Sequence, residues 1–177
     1  MADFMNALPY ILQNEGGYTN NPSDTGGETY RGISRVYNPN WMGWPIVDSL
    51  KPLNEGEIIA DDNLNVLINQ FYKYSCWDQI LGDGWDNNNA AVYLVDFYVT
   101  AKHNAVKCVQ RVVGATPDGL FGNASLEAVN SFTGDLLASL RDARINYYNE
   151  IGTGSNSVFL KGWLNRANSM YDKLSAS

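Results

Sequence analysis

One histidine, two cysteines and no adjacent pair of basic residues are all that this chain offers to metals, disulfides and polyanions. A zinc hydrolase site needs several His, Cys or carboxylate ligands converging on the ion. With His103 alone, the sequence gives no reason to expect a metal or any other cofactor, and His103 reads as a surface or capping residue. Cys76 and Cys108 lie far apart in apolar helical surroundings and read as two buried thiols rather than a bridge. Twelve Lys and Arg face 19 Asp and Glu, for a formal net charge of -7. A phosphate backbone would meet repulsion there, so nucleic acid is not an expected partner. The apolar stretches are short and interrupted, far below the roughly 20 residues of a bilayer-spanning helix, so membrane insertion is not expected either. The first residues, around Asp3 and Pro9, lack the basic start and small-residue cleavage site of a secretory signal. Export by the general pathway is therefore not expected.

What is present is a globular composition: 45% apolar and 18% charged residues, with 11 Tyr, 6 Phe and 5 Trp. The length of 177 residues supports a core that needs no covalent staples. Phe4, Ala7, Leu8, Ile11 and Leu12 recur at helical spacing until Gly16-Gly17 stops them, with Pro9 marking either a late start or a kink. From Tyr18 to Leu53, turn-forming residues dominate, which predicts a long irregular segment with room for a short hairpin. A broad apolar face spans about Glu55 to Tyr74, followed by a turn at Gly82-Asp83-Gly84. Asn88 to Ala101 is apolar almost all round and reads as the buried central helix. Further helices are expected over Ala105 to Val113, Ala124 to Phe132, Gly134 to Glu150 and Val158 to Leu174. The fold class is all-α, or mainly α, with one irregular or hairpin segment after the first helix.

Two carboxylates attract interest. Glu15 ends the first helix, where the negative pole of the macrodipole disfavours the ionised form and so suits a general acid. Asp24 lies nine residues on, in the loop, among glycines that let the backbone turn back past the acid. On position alone, both read first as solvated charges, and Asp24 also as the anchor of an Asx-type turn.

The string EGGYTNNPSDTGGETYRGIS (residues 15–34) resembles the signature of the N-acetylmuramidases of glycoside hydrolase family 108: Glu-Gly-Gly-Tyr, then Pro-x-Asp-x-Gly-Gly-x-Thr, then Gly-Ile. The resemblance implies a lysozyme-like fold and makes Glu15 the catalytic acid. The order Glu, Asp, Thr is also similar to the catalytic trio of phage lysozymes, which would carry water-positioning roles onto Asp24 and Thr29; the Asp-to-Thr spacing differs by one from that pattern. Downstream, Ala105 to Phe132 is similar to the peptidoglycan-binding segment of these enzymes, with Gln110, Asp118-Gly119 and Gly122 as landmarks. Phe159-x-x-Gly162-Trp163-Leu164-Asn165-Arg166 resembles their C-terminal helix. After Val95-Asp96-Phe97, where relatives carry Asn and small residues, this chain has Tyr98-Val99-Thr100, and Thr100 takes the place of the Asn.

The resemblance implies a catalytic region over residues 1–104 and a helical peptidoglycan-binding region over 105–177, or one continuous domain. The implied reaction is hydrolysis of the β-1,4 bond between N-acetylmuramic acid and N-acetylglucosamine, with inversion. Bacterial peptidoglycan is the expected partner of a monomer made in the cytoplasm, which reaches the wall by holin-type or dedicated release. Tyr18, Tyr30, Trp41 and Trp44 could stack on sugars or pack in the core; Tyr18 and Tyr30, which flank the motif, are the candidates kept for substrate contact, with Thr100. Arg31 could hold the loop through a carboxylate such as Asp24 or be solvated. Two other readings remain open. A lytic transglycosylase would need no activated water and hence no Asp24, and a non-catalytic wall-binding module would need no Glu15.

Overall fold

A computed structural model describes residues 1–20 and 27–176. The described elements are α1 (Phe4–Glu15), β1 (Tyr18–Thr19), β2 (Thr29–Tyr30), β3 (Ile33–Ser34), α2 (Trp44–Ser49), α3 (Asp62–Tyr72), α4 (Asn88–Ala101), α5 (His103–Val112), α6 (Asn123–Asn130), α7 (Leu136–Ile151) and α8 (Ser157–Ser175). A π-helical turn (Lys73–Trp77) and 3-10 turns at Asp78–Ile80, Gly82–Gly84 and Gly154–Asn156 connect them. The protein is mainly α, as its periodicities predict. Its contacts fall into two compact units: Leu8–Tyr74, and Met1–Ala7 with Ser75–Ser177.

In the Leu8–Tyr74 unit, the strands form an antiparallel sheet of order β1-β2-β3, with Tyr18 opposite Tyr30 and Tyr30 opposite Ile33. Ile11, Ile33, Val47, Leu64 and Ile68 fill its core. Trp41 packs edge-on against Trp44, with ring centroids 5.2 Å apart. The helix expected from about Glu55 begins only at Asp62, because the preceding backbone is used otherwise. Gly56 N–H donates to the Tyr18 carbonyl (2.7 Å), Tyr18 N–H donates to the Glu57 carbonyl (2.9 Å), and Ile59 N–H donates to the Tyr30 hydroxyl (2.9 Å). The Glu55–Ala60 stretch therefore runs as a strap along β1, and the Asp61 side chain caps α3 by accepting from Leu64 N–H (2.7 Å). The helix α1 runs through Pro9, whose side is exposed, from a start fixed by Asp3 Oδ1 accepting from Met5 N–H.

In the other unit, α4 is the centre. Every residue from Ala90 to Tyr98 is buried, and α5, α7 and α8 pack around it. Asn87 and Asp135 cap α4 and α7 through their side chains. Asp96, fully buried, meets Arg144 of α7 (2.8 Å) and Arg166 of α8 (2.8 Å). Burial pushes the Asp96 carboxyl up, but the two guanidiniums prevail and hold it below the ordinary carboxylate range. Arg144 also lies among the rings of Tyr93, Phe97 and Tyr148, which face its charge with their π surfaces. Cys76 and Cys108 are buried thiols that form no disulfide with each other, and burial pushes the Cys108 thiol up.

Candidate active site

Glu15 is the last residue of α1, and Gly16 (φ +66) turns the chain away behind it. Only glycine enters this left-handed conformation without strain. Gly17 then passes so close to the Gly56 and Glu57 carbonyls that no side chain would fit. The half-buried Glu15 side chain lies against Gly32, where a Cβ would collide with Glu15 Oε2 and with the Tyr72 hydroxyl. Gly32 itself has φ +77. The β2-β3 turn thus lays bare backbone against the acid, while Tyr72 donates to the Arg31 carbonyl (2.6 Å) and fixes that turn.

Arg31 holds the loop through two carbonyls, while the partner expected in Asp24 lies outside the described residues. Its guanidinium donates to Gly16 O (2.9 Å) and its backbone N–H to Gly17 O (3.1 Å), which ties the turn to the C-terminal end of α1. The residue adopts φ +50, a strained choice for a side-chain-bearing residue that these two bonds secure.

The remaining site candidates are placed as follows. Thr29, in β2, is half-buried, with its hydroxyl donating to Gly27 O (3.3 Å). Tyr30 is 1% exposed and its hydroxyl receives the Ile59 N–H, so its ring belongs to the core of this unit and offers no face to a sugar. Tyr18 is also buried, and its hydroxyl donates to Glu28 (3.0 Å); burial and that carboxylate push its phenol up. Both rings are buried in this unit. Asp24 lies outside the described residues, and so does its distance from Glu15. Thr100 belongs to the other unit, at the end of α4. There it donates to Phe97 O (3.0 Å), and its hydroxyl is 3.3 Å from that of Tyr148.

A charged network escaped the sequence reading. Glu28 Oε2 lies 2.8 Å from Arg35 Nε and its Oε1 lies 2.5 Å from Lys51 Nζ. Asp48 in turn takes Arg35 at 2.7 Å and Lys51 at 2.8 Å. Hydrogen bonds from these two cations hold the Asp48 carboxyl down to about 2. Arg35 also lies 4.3 Å over the Trp44 ring. The network pins the β-hairpin to α2. No local pattern announces it, because its members come from the hairpin, from α2 and from the segment after it.

In the segment after α4, Gln110 is 2% exposed and organises the following loop. Its Nε2 lies 2.8 Å from Asp118 Oδ1, 3.0 Å from Leu120 O and 3.1 Å from Ser125 Oγ, while its Oε1 accepts from Gly119 N–H. His103 begins α5 and contacts Gly119 O through Nδ1 (3.0 Å). A cleft of about 700 Å³ opens beside this loop, lined by Gln110, Thr116, Asp118, Phe121, Asn123 and Ser125 among others.

Comparison with known proteins places these features in a family. Residues 8–101 match the model described as Glycosyl hydrolase 108, and residues 104–168 match the model described as Predicted Peptidoglycan domain. Among solved structures, SagA of Brucella abortus is similar, with 28% identity and a TM-score of 0.69 over 98% of this chain and 94% of that one. A comparison with curated proteins found no match. The first of these models spans more than half of the chain, Glu15 and its glycine-rich surroundings included, so the chain belongs to the glycosyl hydrolase 108 family and is a peptidoglycan hydrolase.

Proposed function

We propose that the protein cleaves the β-1,4 bond between N-acetylmuramic acid and N-acetylglucosamine, with Glu15 as the general acid. The supporting observation is the setting of Glu15: a carboxylate at a helix terminus, flanked by two backbone turns stripped of side chains at Gly16-Gly17 and Gly32. Gly17 and Gly32 let the backbone close on the strap and on the acid, while the space beside Gly16 is open, which leaves the helix end bare for the approach of a sugar ring. Glu15 would protonate the departing glycosidic oxygen while water adds to the sugar carbon from the opposite face.

The water needs a second group, and we assign it to Asp24 with Thr29 in support. Glu28 is the other carboxylate of this loop, and its two oxygens are both engaged by cations, Arg35 and Lys51, rather than turned to a water. Inversion follows from this assignment and requires the two acting carboxylates to stand roughly 6.5 to 9.5 Å apart. We further assign residues 105–177 to holding the wall, with the Gln110 loop and its cleft as the scaffold of that region.

Purified peptidoglycan digested with the enzyme and resolved by mass spectrometry tests the bond and the reaction together. Fragments ending in reducing N-acetylmuramic acid are expected. Anhydro ends would replace hydrolysis by transglycosylation, and reducing N-acetylglucosamine ends would move the cut to the other linkage. Asp24→Asn should abolish release; an active variant would remove Asp24 from the mechanism.

A further inference from the structure

The exposed large apolar residues of α8 are two neighbours at its start, Val158 (76% exposed) and Phe159 (57% exposed). Phe159 is not loose. Its ring stacks on Trp163, one helical turn on, with centroids 5.9 Å apart and planes at 24°. Trp163 stacks on Tyr148 of α7 at 5.4 Å and 29°, and Tyr148 meets Phe97 of α4 edge-on at 5.7 Å. Burial deepens along this ladder, from the exposed Phe159 through the half-buried Trp163 to Tyr148 at 4%. The lower end is fixed by hydrogen bonds: Arg144 Nε donates to the Tyr148 hydroxyl (3.1 Å), which lies beside the hydroxyl of the exposed Thr100.

We infer that the outward face of Phe159, held in place by its stack on Trp163, forms a platform for an N-acetylated sugar ring of the glycan strand. The inference rests on peptidoglycan being the substrate, and three observations carry it to this occupant. A pyranose presents a flat face of C–H groups and a polar rim, and a flat ring held in place by stacking suits that face without the ordering cost of a free side chain. Both residues lie within 104–168, the stretch matched by the peptidoglycan domain model. The patch is also too small for a second copy of the chain. Beyond Trp163 the same face turns inward at Ala167 and Met170, so the exposed apolar area comes from two side chains. An aromatic side chain contributes at most about 250 Å², whereas a stable protein interface needs about 800 Å² per partner.

The test is binding, measured in a Glu15→Gln background so that no turnover intervenes. The probes are an N-acetylglucosamine tetramer, followed by NMR titration, and sedimentation with purified insoluble peptidoglycan. Phe159→Ala, at an exposed position, should weaken tetramer binding at least tenfold, and Phe159→Tyr should restore most of it. Unchanged binding in Phe159→Ala overturns the platform. So does a loss seen only with free stem peptide, or a wild-type dimer in sedimentation that Phe159→Ala dissolves. If the wild type releases no sugar fragments but Phe159→Ala still loses the tetramer, the catalytic reading fails and the platform stands.

Discussion

At Gly32 there is room for a hydrogen atom and nothing larger on the side facing Glu15. Gly32→Ala would force the acid and Tyr72 apart from a backbone already at φ +77. A destabilisation of about 1–2 kcal/mol is expected from the unfavourable φ and the clash, together with a fall in kcat of tenfold or more. Urea denaturation and turnover on suspended walls measure the two; a variant of full activity would show that this turn does not shape the acid's surroundings. This region was legible in the sequence because its chemistry is local. Glu15, the glycine pair behind it and the Gly32 turn fall within one string of residues, and glycines at left-handed positions leave a mark that can be read without a fold. Tyr72 was legible only as one of several apolar residues on α3, since its hydroxyl reaches a carbonyl 41 positions away. The inward turn of Tyr30 was not legible, because strand alternation over two residues is too short to say which side faces the core.

Among the elements, α4 shows what periodicity can and cannot supply. Its bounds and its burial follow from an apolar run that starts behind Asn87 and ends at Lys102. The one charge inside it, Asp96, has partners 48 and 70 residues away, and no spacing rule connects them. Asp96→Ala should cost about 3–5 kcal/mol, because it strands the fully buried Arg144 without its counter-charge. Equilibrium denaturation would show this as a lower midpoint at an unchanged slope, and a loss under about 1 kcal/mol would mean that the aromatic cage alone satisfies the guanidinium. The helix α2 was missed within the irregular segment because it is six residues long, begins with Trp44-Pro45 and owes its place to the ion pairs of Asp48. The late start of α3 has the same kind of cause, since tertiary hydrogen bonds from the strap outweigh a helical pattern of side chains.

Over the whole molecule, acid should act through the paired carboxylates. Asp96 and Asp48 both have folded-state values below the ordinary one, so their contributions are fully present above about pH 4 and fade as pH falls through the folded values. For Asp48 that value is about 2. Asp48→Asn should therefore melt below the wild type at pH 6 and converge with it near pH 2, in thermal scans across that range. A gap that persists at pH 2 would mean that packing, and not charge, accounts for the loss. Salt should narrow the pH 6 gap, since this network is partly exposed.

The central claim is that one carboxyl group, at the end of α1, drives the cleavage. Its most direct measurement is the rate of fragment release from purified peptidoglycan by the wild type and by Glu15→Gln, with folding checked by circular dichroism and wall binding by sedimentation. Release falling at least a thousandfold, with fold and binding retained, is the expected result. It corresponds to about 4 kcal/mol of lost transition-state stabilisation. A folded Glu15→Gln variant that still releases the same fragments at a comparable rate would contradict the assignment.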